Sequence, residues 1–137
     1  AVKLVVDRLF NNRYSGFMAR PREFVEATVL SKARILFASQ GYNGTSIDDL
    51  VKATGLLRGS LYKAFGSKRN LFEKILAEVT DQFEGTEENL DLLTVALKEL
   101  ARIDPEISRH CRKIVDGKQT EFSQILGSNL LNKMKES

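Results

Sequence analysis

Apolar positions along the chain recur at helical spacing, and no segment alternates like a strand for long. From Arg22 to Gln40 they fall at Val29, Ala33, Leu36 and Phe37, a single stripe. Gly41 stands where a helix stop is expected, and Tyr42-Asn43-Gly44 is turn chemistry. Thr45 and Ser46 each precede an aspartate by three residues (Asp48 and Asp49), so either hydroxyl can cap a short helix from about Ile47 to Ala53. That helix closes at Thr54-Gly55, and a third short helix fits Leu57 to Phe65, interrupted at Gly66. Ser67 can cap a fourth, which carries Leu71, Phe72, Ile75, Leu76, Val79 and Phe83 and ends at Glu84-Gly85. A fifth is predicted from roughly Glu88 to Ile103, with Leu93, Leu97 and Leu100 aligned, before Asp104-Pro105 breaks the chain. A sixth carries Ile107, Cys111, Ile114, Val115, Phe122 and Leu126, kinked at Gly117, and Gly127-Ser128-Asn129 reads as its stop. The predicted class is all-α.

Length and composition narrow the picture further. A chain of 137 residues makes one domain, or a small module with a partial second one. With 42% hydrophobic and 28% charged residues it has an ordinary soluble balance, which excludes wholesale disorder. A lone cysteine, Cys111, allows no intramolecular disulfide and points to a reducing compartment. No apolar run approaches a membrane span, and VKLVVDRLF is too short and too charged for the core of a signal peptide. A cytoplasmic location and no membrane partner are the expectation. Charge is unevenly spread: residues 1–74 hold 13 Lys+Arg against 6 Asp+Glu, whereas residues 75–137 hold 8 against 12. A basic front and an acidic back suggest that the front half meets a polyanion.

The stretch from Gly55 to Lys68, GLLRGSLYKAFGSK, concentrates glycine, basic and aromatic residues. As a phosphate loop it fails, because Gly66-Ser67-Lys68 has the wrong order and lies between helices rather than after a strand. Catalysis fares no better. The single histidine, His110, is followed directly by Cys111 on a helix, so the two side chains diverge by about 100°. His110 reads as a surface residue and Cys111 as a small core residue. No Cys-x-x-Cys or Glu-x-x-His pattern offers a metal site. No enzymatic activity, metal or cofactor is expected.

Two short helices joined by a glycine turn instead describe a helix-turn-helix, whose second helix enters the major groove. Leu50, Val51 and Leu61 would lock the pair from inside, leaving Arg58, Ser60, Tyr62 and Lys63 for the outer surface. Gly59 removes a side chain where a backbone could approach closely. Residues 52–74 carry six Lys+Arg and one acid, Glu73, as binding to DNA requires. Arg69 and Lys74 read as solvated helix charges.

The run GYNGTSIDDLVKATGLLRGSLYKAFGSKRNLF resembles the DNA-binding domain of TetR/AcrR-type transcriptional repressors. The shared features are an amphipathic helix ending in Phe-Ala-x-x-Gly-Tyr, then Thr-Ser, a short helix, Thr-Gly, Gly-Ser-Leu-Tyr, and Ser-Lys opening helix four; together they cover about Arg20 to Val79. The resemblance implies an N-terminal three-helix DNA-binding domain and a helical C-terminal domain that dimerises and usually binds a small-molecule inducer. By position it places Arg58, Tyr62 and Lys63 at base edges or nearby phosphates, and Thr45 or Ser46, Ser60 and Lys68 at phosphates. Double-stranded DNA and a homodimer are the implied partners, with an inducer left unidentified.

Three departures qualify that implication. Leu57 occupies the position where the family often has Ser or Thr capping the recognition helix. The segment MARPREF looks like a family start, so residues 1–19 read as an N-terminal extension, and Arg20 and Arg22 as an arm reaching the minor groove. On this division residues 20–66 are the DNA-binding domain, and residues 67–137 a shortened helical domain with helix four as connector. The alternative reading is a truncated relative serving as a protein-interaction module or small-molecule sensor.

Overall fold

The computed structural model describes residues 25–136. Within them the chain forms α1 (Glu26–Gln40), α2 (Ile47–Thr54), α3 (Arg58–Phe65), α4 (Lys68–Asp81), α5 (Glu87–Val95), a π-helical turn (Ala96–Leu100), α6 (Pro105–Val115), α7 (Gln119–Asn132) and a closing 3-10 turn (Lys133–Glu136). The described residues contain no strand. The all-α expectation holds.

Most helix starts are set by the residue ahead of them. Ser46 and Asp49 form a reciprocal capping box on α2, with both bonds at 3.0 Å. Ser67 and Thr86 accept from the backbone N–H three residues on, capping α4 and α5. Asp104 caps α6 through Glu106 and Ile107, with Pro105 in the first helical position. α3 differs. Leu57 stands at its N-cap and supplies no side-chain bond, as its chemistry dictates.

One apolar core runs through the described helices. Phe37 of α1, Leu50 of α2, Phe72, Ile75 and Leu76 of α4, Leu92 and Leu93 of α5 and Ile107 of α6 are all sealed within it. α1 packs on α2, α4 and α5, and α4 packs on α6. Phe37, Tyr42 and Phe72 form an aromatic triangle, with ring centroids 5.1–5.9 Å apart, that joins α1, the α1–α2 turn and α4. The core therefore reaches directly behind α2 and α3.

The second half departs from the sequence pattern in three places. The predicted fifth helix changes register at Ala96, where Ala101 N–H bonds the Ala96 carbonyl across a π turn. Ala96 and Leu100 consequently point inward and Leu97 is left partly exposed, so Leu93, Leu97 and Leu100 are not one stripe. The predicted sixth helix is two helices, because Gly117 adopts φ 78°, a left-handed conformation that ends one helix before the next begins and does not merely kink it. Gly127-Ser128-Asn129 is not a stop. α7 continues to Asn132, held to α5 where Asn129 donates to Asp91 at 2.7 Å.

Candidate nucleic-acid interface

α2 and α3 are joined by the three residues Gly55, Leu56 and Leu57, and the end of α2 and the turn share the work of setting the angle. Thr54 turns its hydroxyl back to the Leu50 carbonyl at 2.7 Å while accepting from Leu56 N–H at 3.2 Å. Gly55 takes the left-handed conformation (φ 79°) that ends α2, and its N–H closes the last helical bond to Val51 at 2.9 Å. Leu56 is then driven into the core beside Leu50 and Leu61. Three buried leucines on one side of the turn fix the angle between the two helices. Everything on the other side of α3 is left to solvent.

That outer side is ordered by helix geometry. Leu61 marks the buried line of α3; Gly59 and Lys63, four residues apart, lie on the line opposite it. Arg58 and Tyr62 form the neighbouring line, and Tyr62 is 42% exposed, so its ring is a surface feature and not core. Ser60 is half-buried at the flank. Lys63 is exposed and has no ion pair among the described residues. Arg58 pairs with Asp48 of α2, and the two side chains remain 53% and 72% exposed. An ion pair so open to water contributes at most about 1 kcal/mol, so it can be traded for a base or phosphate at little cost.

Other expected contacts sit differently. Ser46 is exposed, and its oxygen accepts from Asp49 N–H, which leaves its own proton available for donation. The bonds from Ser46 hold the Asp49 carboxyl below the ordinary carboxylate value. Thr45 requires correction as a surface contact: it is 0% exposed, and its hydroxyl donates to the Gly41 carbonyl at 2.6 Å. Lys68 donates to the carbonyls of Tyr42 and Thr45, both at 3.0 Å, with its ammonium 4.2 Å from the Tyr42 ring centroid. It staples the start of α4 to the α1–α2 turn, which leaves one of its three N–H groups uncommitted. Arg20 and Arg22 lie outside the described residues.

Two anchors behind this surface were not foreseen from the sequence. Glu99, on the π turn, accepts from the backbone N–H groups of Asn43 (2.7 Å) and Tyr42 (3.3 Å), gripping the same turn that Lys68 holds from α4. Arg69 is no solvated charge: it binds Asp104 through two bonds of 2.7 and 2.8 Å and also reaches Glu73 and Glu106. The Arg69 guanidinium draws the Asp104 carboxyl down to about 2. Lys74 pairs with Glu26. His110 is not a surface residue either; its side chain is 14% exposed, and Nε2 lies 3.3 Å from Glu73. Cys111 is core as expected, and burial pushes its thiol up to about 11. No group of metal-ligating residues occurs among the described residues.

An open cleft of about 710 Å³ lies beside α1, α4 and the α4–α5 loop. Val79 is its one apolar lining residue; Glu78, Asp81, Glu84 and Glu88 line it together with Arg34, which pairs with Glu88. Small-molecule sites are mostly apolar, and this lining is the reverse.

Comparison with known proteins matches the helix-turn-helix segment to one family model. Residues 29–75 match the model for bacterial regulatory proteins of the tetR family, a span that runs from the core face of α1 through the helix-turn-helix into α4. Over that span the chain is similar to the DNA-binding region of TetR-family regulators. It is 44% identical over 68 residues to the uncharacterized HTH-type transcriptional regulator YezE of Bacillus subtilis, covering 50% of this chain and 34% of that protein. To the HTH-type transcriptional repressor BdcR of Escherichia coli it is 28% identical over 116 residues, covering 85% of this chain and 54% of BdcR. The chain thus spans between a third and about half of these relatives. A crystal structure of the TetR-family regulator PfmR from Thermus thermophilus aligns with 79% of the chain and 71% of its own, at 22% identity and a TM-score of 0.46. Members of the TetR family regulate transcription and are not enzymes. No helix among the described residues is long and apolar enough to cross a membrane.

Proposed function

We propose that the protein is a DNA-binding transcriptional regulator, acting as a repressor that occupies a two-fold operator as a homodimer. The observation that carries this reading is the outward face of α3. There Arg58, Gly59, Tyr62 and Lys63 form two adjacent lines opposite buried Leu61, on a helix short enough to lie end-on in a major groove. Arg58, once released from Asp48, can donate two parallel bonds to a guanine edge. Lys63, Ser60 and Ser46, exposed or half-exposed, would meet backbone phosphates, which position the helix without reading sequence. Lys68 contributes chiefly by holding the turn that presents α2. Arg20 and Arg22 would extend the contact into the minor groove. The repressor BdcR and the regulator YezE support the regulatory role by similarity.

Binding to DNA over a salt series tests the reading. Affinity should fall steeply as salt rises, and Lys63→Ala should reduce the slope of log K against log salt by about one while weakening all sequences alike. Arg58→Ala should instead relax preference at one base pair per half-site, at a cost of about 1–3 kcal/mol. Salt-independent binding, or equal effects of the two variants on every sequence, would overturn the assignment.

A further inference from the structure

Leu57 is the least expected residue on the interface. It sits at the N-cap of α3 with 76% of its surface exposed, and it provides no cap to the helix it precedes. Every other leucine of the helix-turn-helix (Leu50, Leu56 and Leu61) is buried. Its backbone is extended (φ −69°, ψ 152°), an ordinary conformation that places no constraint on residue type. Nothing in the fold therefore calls for an apolar side chain here, and a hydroxyl would stabilise the helix better. What the position does have is a neighbour. Leu57 directly precedes Arg58, at the end of α3 that a helix-turn-helix presents to base edges.

We infer that Leu57 is a specificity-determining residue that reads the 5-methyl group of a thymine in the major groove. This inference rests on the DNA-binding reading above and adds to it one apolar contact beside the Arg58 position. The thymine methyl is the apolar feature that the major-groove edge of a base pair presents. A leucine offers it a surface already exposed in the free protein, whereas a cytosine at the same place leaves that surface facing a polar edge. Arg58 and Leu57 together would then read neighbouring base pairs, one by hydrogen bonds and one by an apolar contact.

The test removes the methyl group and nothing else. An operator is first selected from random DNA with the 137-residue chain, and each thymine is then replaced in turn by deoxyuridine. The wild-type protein should lose roughly fourfold in affinity at one thymine per half-site, the size expected for one methyl group kept out of water, and little elsewhere. Leu57→Ala should bind with a profile flat to deoxyuridine while keeping its discrimination at other base pairs. Leu57→Ser should do the same with a raised melting temperature, since it restores a cap, which separates loss of reading from loss of fold. A wild-type protein indifferent to every deoxyuridine, or variants that keep the wild-type profile, would overturn the inference while leaving DNA binding intact. Failure to select any operator overturns both.

Discussion

Gly59 offers the sharpest test of what the α3 surface is for, because its substitution should move stability and binding in opposite directions. The residue is the second of α3, has no positive φ, and a Cβ built on it meets nothing within 4 Å. Neither backbone conformation nor packing explains a glycine here. Alanine is the better helix former, and at the second position of a helix the gain should be about 0.5 kcal/mol, the low end of the range for interior sites. For a chain of this size that raises the melting temperature by about 2 °C. On the line opposite Leu61, however, the same methyl group would stand where α3 comes closest to a partner. Forcing an extra carbon into a packed contact costs about 1–3 kcal/mol, or roughly 5- to 150-fold in affinity. Thermal melting and DNA binding measured on one Gly59→Ala preparation decide the matter. A higher melting temperature with unchanged affinity would show that Gly59 is not at the interface. A lower melting temperature would contradict the open space around it.

Lys68→Met should destabilise the fold by about 2–3 kcal/mol even without DNA, since it removes two charge-assisted bonds to the α1–α2 turn and a cation–π contact; denaturant titration reads this directly, and a change under 0.5 kcal/mol would assign Lys68 to phosphate contact alone. The Asp104 carboxyl is held at about 2 in the fold against 3.8 when free, so its contribution is complete above the free value and is lost as pH falls through about 2. That contribution, discounted for solvent screening, is on the order of 1 kcal/mol. Asp104→Asn should therefore lower stability at pH 7 and flatten its decline on acidification, and an unchanged acid limb in denaturant midpoints would refute the coupling.

The fold and interface were legible in the sequence wherever local chemistry decided the outcome. Ser67 caps the helix its spacing predicts, Asp104-Pro105 breaks the chain where expected, and Leu50 and Leu61 lock the helix-turn-helix from inside. The glycine at position 55 turns the chain as its type allows. What could not be read was decided by competing local partners or by partners distant in sequence. Thr45 and Ser46 are equally plausible caps by spacing, yet the Gly41 carbonyl claims one hydroxyl and Asp49 N–H the other. Arg69 looks like any helix-surface arginine until α6 brings Asp104 and Glu106 beside it. Glu99 reaches the α1–α2 turn because a π turn rotates the helix face, and an apolar pattern of period 3.6 carries no trace of that rotation. Gly127 is tolerated inside α7 because Asn129 and Lys133 tie that helix to Asp91 of α5.

The central claim is that α3 reads DNA sequence and that two copies read it together. Selection of bound fragments from random double-stranded DNA tests both parts at once. The account predicts an enriched two-fold symmetric motif whose half-sites are spaced for two recognition helices about 34–36 Å apart. Enrichment of a single, non-repeated half-site would contradict the dimer, and a pool no different from its input would contradict the claim itself.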